Sequence, residues 1–138
     1  MSLELCVLGS GSSGNSTVLR APNGTFLIDA GFGPRVTEQR LHDLGLSPAD
    51  ISAIVLTHLD SDHFNYYWLL TILKHGIRLH VSRNHLREFL HAPEIRDLHT
   101  RLIKKQLPED SLTKLVFPFD NHLEPLPGVH IEADPLSV

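Results

Sequence analysis

The chain has 138 residues, 41% of them hydrophobic, which supports one folded domain over residues 1–138 and excludes a disordered chain. A formal charge of −4 argues against a general phosphate-binding surface, although it leaves room for a local basic patch. Cys6 is the single cysteine, so no intramolecular disulfide can form, which suits a reducing cytosol.

The N-terminus has no basic stretch followed by an apolar core, so no signal peptide is expected. The longest apolar run, residues 66–73, is broken by Thr71 and is too short to cross a bilayer. The expected setting is the cytoplasm, with no membrane partner.

In chain order, residues 3–8 read as a strand in which Cys6 is a buried thiol, and residues 9–15 as a Gly/Ser loop. Residues 16–21 and 25–30 read as two strands joined by the turn signal Pro22-Asn23-Gly24. Pro34 suits the first position of a helix and Gly45 its stop, with Val36, Leu41 and Leu44 as the apolar stripe. Residues 52–57 form the next strand. Phe64, Tyr67, Trp68 and Ile72 then fall at helical spacing, read as core, and Gly76 ends that helix. A strand over 77–81, a helix capped by Ser82 to about Leu90, a helix over 94–107, and strands over 115–119 and 129–133 complete the chain. The order is α/β with hairpin elements rather than strict βαβ alternation.

Gly9-Ser10-Gly11-Ser12-Ser13-Gly14 matches the dinucleotide fingerprint, and Asp29 stands twenty residues beyond Gly9. That reading requires the last glycine to open a helix. Here the residues after Gly14 include Ser16, Thr17 and Val18 and run into a turn, so the segment reads as a hairpin. What remains is a glycine turn, either without a site role or with backbone N–H groups facing an anion.

The densest chemistry lies between Ile54 and His63. A buried strand ends at Thr57, and four donors follow in six positions: His58, Asp60, Asp62 and His63. Two imidazoles and two carboxylates suit zinc, iron or manganese, and a loop after a rigid strand can turn several of them toward one point. The bland alternative is a polar loop with Asp62 as an N-cap.

With these residues in view, Thr57-His58-Leu59-Asp60-Ser61-Asp62-His63 resembles the T-H-x-H-x-D-H signature of the metallo-β-lactamase superfamily at every position but one. The segments L-G-S-G-S-S-G-N-S and F-L-I-D-A-G resemble its YycJ/WalJ-type bacterial branch, a phosphodiesterase/exonuclease group. The resemblance implies the N-terminal part of an αββα sandwich with a site for zinc (alternatively manganese or iron), two ions in a full-length form. A metal-bound water would attack a phosphorus or carbonyl centre. By position, His58 would serve one metal, and Asp62 and His63 the other. Asp62 would also orient the water, Asp29 would steady a ligand, and Ser13 and Asn15 would line the substrate side.

Two departures stand out. Asp60 occupies a histidine position, which favours harder cations or removes one metal position. The family also draws later ligands from downstream, the first after a strand like residues 131–138, so the domain is expected to be incomplete at its C-terminus. His122 and His130 are candidate substitutes, each with a surface reading, while His75, His80, His85, His91 and His99 lack ligand spacing and are expected at the surface or an interface. Three functions follow. One is metal-dependent hydrolysis of nucleic acid or a small phosphodiester, and another is hydrolysis of a different small molecule on the same fold. The third is a truncated or degenerate non-catalytic relative that binds a partner or forms a homodimer through an exposed sheet face.

Overall fold

The structure is a computed structural model that describes residues 2–108 and 110–119. It contains one mixed sheet of six strands in sequential order. Strands β1 (Glu4–Gly9), β2 (Ser16–Ala21) and β3 (Gly24–Ile28) form an antiparallel meander. Strands β4 (Ile51–Leu56), β5 (Arg78–Ser82) and β6 (Val116–Phe119) add to it in parallel. The glycine fingerprint therefore lies in an antiparallel β1–β2 connection, as its short span and β-branched residues require. The expected strand over 129–133, with His122 and His130, lies outside the described residues.

Parallel neighbours need crossovers, and helices supply them. Helix α1 (Pro34–His42) joins β3 to β4, α2 (Trp68–His75) joins β4 to β5, and α3 (Arg83–Leu90) with α4 (Pro93–Lys104) joins β5 to β6. All four pack on one face of the sheet. Leu41, Trp68, Ile72, Phe89, Ile95 and Leu98 share a single cluster with Val18, Leu27, Ile54 and Leu79. The last four are registered side by side across β2 to β5, and each is 0% exposed. Burying a side chain of this size contributes roughly 1.5–3 kcal/mol, so this row is the main anchor of the helices.

Pleating turns the intervening residues to the opposite face. There Leu5, Leu19, Phe26 and Ala53 form one row, and Val7, Thr17, Ile28 and Val55 another. Phe26 and Ala53 are buried, but Leu5 is 67% and Val7 63% exposed. Among the described residues the helices cover one face only, and the second is open at its β1 end.

Three sequence expectations shift. Tyr67 is 82% exposed and precedes α2, whereas Phe64, Trp68 and Ile72 are fully buried. Phe64 is not helical because it bridges to Ala30, with Ala30 N donating to His63 O and Asn65 N to Ala30 O. Helix α1 turns Thr37 rather than Val36 inward, since the Thr37 hydroxyl donates to Gly33 O at 3.0 Å and is thereby satisfied in the core. Cys6 is only partly buried, because it lies on an edge strand.

Candidate functional site

The C-terminal ends of β3 and β4 lie side by side because the two strands are parallel. Asp29 follows β3 and Thr57 follows β4, so each adopts a loop conformation at the same sheet edge, where α/β folds build their sites. Asp29 has φ 63°, in the left-handed region that aspartate tolerates better than most residues. Its N–H donates to Val55 O at 2.7 Å, and that turn ends β3. The buried carboxylate then faces the loop after β4.

Three groups donate to it. Thr57 N–H reaches Oδ1 at 2.7 Å, and the Thr57 hydroxyl reaches Oδ2 at 2.6 Å. His63 Nδ1 lies 2.9 Å from the same Oδ2. The hydrogen bond to Asp29 raises the His63 pKa above its ordinary 6.5, opposed by burial and aided by the charges of Asp29, Asp62 and Asp60.

These bonds assign the tautomers. Nδ1 faces a carboxylate oxygen that accepts, so the neutral His63 ring carries its proton on Nδ1 and keeps the lone pair on Nε2. The Thr57 hydroxyl has one proton, given to Asp29. Its contact with His58 Nδ1 at 3.0 Å must therefore be one in which His58 donates, leaving His58 Nε2 as the lone pair. The two rings lie 4.7 Å apart between centroids. A single aspartate thus orders both imidazoles, directly and through Thr57. This is the arrangement by which carboxylates fix metal-binding histidines. Thr57, which the sequence marks as the strand end and first motif residue, gains here a role that spacing does not reveal: it relays the hold of Asp29 to His58.

Asp62 is held differently. Its carbonyl accepts from Asn15 N at 2.7 Å and from Asn15 Nδ2 at 3.0 Å, and its Oδ2 lies 3.2 Å from the same Nδ2. Asn15 Oδ1 accepts from Gly11 N, so this side chain ties the glycine loop to the motif loop. Gly31 makes the approach feasible: a Cβ there would stand 2.0 Å from Asp62 O. Asn15, expected to line the substrate side, spends its side chain on this tie. Ser13 is exposed in the glycine loop. Asp60 acts through its carbonyl, which accepts from His63 N at 2.8 Å and Phe64 N at 2.9 Å, while the residue itself is exposed.

The donors meet in pairs. His58 and His63 are neighbours, and Asp62 Oδ2 is 3.8 Å from His63 Nε2. Among the described residues, no three His, Cys, Asp or Glu side chains are grouped so as to hold a metal ion. A closed centre needs three or four ligands, so the described donors alone do not fit one. The expected surface histidines also divide: His80 and His99 are half-buried, each with Nε2 shielded from solvent, while His75 and His91 are exposed.

Known proteins resemble this chain over part of its length. The family model described as the metallo-beta-lactamase superfamily matches residues 9–133. Exodeoxyribonuclease WalJ of Streptococcus pneumoniae serotype 2 is 36% identical over 76 residues, covering 55% of this chain and 28% of that protein. Ribonuclease Z of Mycobacterium bovis is 43% identical over 68 residues, covering 44% of this chain and 23% of that protein. The chain thus spans about a quarter of the length of these relatives. A metallo-beta-lactamase structure from Cronobacter sakazakii aligns with TM-score 0.52 and 24% identity, covering 61% of this chain and 34% of that one, which shows the fold alone. With the family match extending from the glycine loop through every described element after β1, the chain belongs to the metallo-beta-lactamase superfamily.

Proposed function

We propose that this chain by itself acts as a non-catalytic binding or dimerising module on the superfamily fold. One observation carries the reading: the motif donors meet in pairs, and no group of three is placed for a metal among the described residues. Asp60 at a histidine position points the same way. The open sheet face offers the contact surface, with Leu3, Leu5 and Val7 each more than half exposed on or beside β1. A cytoplasmic setting suits the lone Cys6, and no described helix is long and apolar enough to cross a membrane.

A second reading concerns a larger protein of which residues 1–138 would be the N-terminal part. There the chemistry would be metal-dependent phosphodiester hydrolysis, with zinc, manganese or iron as the ion and nucleic acid or a small phosphodiester as substrate. The ordered tautomers of His58 and His63 favour it, as does the likeness to an exodeoxyribonuclease and a ribonuclease Z. In that protein Asp62 would be the catalytic carboxylate.

The test is metal content and turnover of the purified chain. After zinc or manganese loading and dialysis, the expected result is substoichiometric metal and no hydrolysis of bis(p-nitrophenyl) phosphate above buffer. Tightly held metal together with turnover that disappears in His63→Ala overturns the module reading.

A further inference from the structure

A cleft of about 460 Å³ opens between the segment leading into α2 and residues 94–101 of α4. Its volume falls within the roughly 300–1,000 Å³ typical of small-molecule sites. Phe64, Leu69 and Leu98 give it an apolar floor, each at most 4% exposed. Tyr66 forms a preset wall: its ring is edge-on to Phe64 at 4.9 Å and stacked on Phe89 at 6.3 Å. Tyr67 and Leu70 stand at the mouth, 82% and 53% exposed.

Charge at the rim selects the occupant. Arg101 and Asp97 form an ion pair at 3.1 Å and cancel. Glu94, in the first turn of α4, has no ion pair among the described residues, so the rim carries a net negative charge. Glu88 adds to the same field: burial first, then Glu94 and Glu88, push the Tyr66 phenol up. A carboxylate beside two tyrosine rings attracts a cation and repels phosphate, since aromatic faces carry partial negative charge.

We propose that this cleft binds a small organic cation, its apolar body over Phe64 and Leu98 and its ammonium group toward Glu94. The site uses neither the Asp29–His63 network nor the open sheet face, so it stands independently of the module reading.

The test titrates 2-phenylethylamine, 2-phenylethanol, 3-phenylpropionate and thymidine 5′-monophosphate into the isotope-labelled 138-residue chain. The amine should saturably shift the amide resonances of Tyr67, Leu70 and Leu98 and bind about fivefold tighter than the alcohol. The two anions should bind more weakly than the alcohol. Glu94→Gln, an exposed substitution, should erase the preference for the amine while leaving the rest of the spectrum unchanged. The proposal is overturned by equal binding of amine and alcohol, by no saturable shift with the amine, by tighter binding of either anion at these residues, or by an unchanged preference in Glu94→Gln.

Discussion

Asp29 and His63, 34 positions apart in the chain, are joined by a 2.9 Å hydrogen bond that sets the protonated nitrogen of the imidazole. The same carboxylate accepts from the Thr57 hydroxyl, whose oxygen in turn accepts from His58 Nδ1–H. Both rings are therefore ordered before any ligand arrives.

Asp29→Asn should disturb both rings. The amide has one oxygen and a donor nitrogen, so it cannot accept from Thr57 N–H, the Thr57 hydroxyl and His63 together. Imidazole ¹⁵N shifts of the neutral form should show Nδ1 protonation at His58 and His63 in the parent chain. In the variant His63 should change tautomer. Stability should fall by about 1–3 kcal/mol in urea unfolding, the cost of leaving buried polar groups unmatched. An unchanged His63 tautomer would contradict the assignment.

Gly31→Ala should open the contact between the two loops. Its Cβ would meet Asp62 O at 2.0 Å, and both neighbours at that point are backbone, which cannot rotate away. A loss of about 1–3 kcal/mol is expected. Faster hydrogen exchange at Asn15 N–H should accompany it, because that amide donates to Asp62 O.

Asn15→Ala removes the side-chain tie but leaves the backbone bond to Asp62. The cost should be about 1 kcal/mol, and protection should fall at Gly11 N–H while remaining at Asn15 N–H. Equal loss at both amides would show that the whole connection depends on the side chain.

The open face supplies a solution test. Leu5→Lys with Val7→Lys should convert a dimer to monomer in sedimentation, with little change in the unfolding midpoint, since both residues are more than 60% exposed. A parent chain that is monomeric at high concentration would remove dimerisation from the module reading.

Much of the fold was legible along the chain. The strands at β2 and β4 and the Ser82 cap of α3 follow from turn residues, apolar runs and a local hydrogen bond to Asn84 N. These are short-range effects, carried within a few residues. Phe64 and Tyr67 escaped the same logic. Helical spacing cannot reveal that Ala30 pairs with Phe64 and delays the start of α2 to Trp68.

The site divides along the same line. The sequence by itself determined which donors are present, that a buried strand delivers them to a sheet edge, and that Asp60 breaks the histidine pattern, because residue type and local spacing are properties of the chain. Only the tertiary structure decided that Asp29 orients His63 directly and His58 through Thr57. It also decided that Asn15 and Gly31 lock Asp62, and that the described donors meet in pairs. The reason is geometric: parallel pairing of β3 and β4 sets the ends of two distant segments side by side, and hydrogen bonds of about 3 Å form only once that register exists.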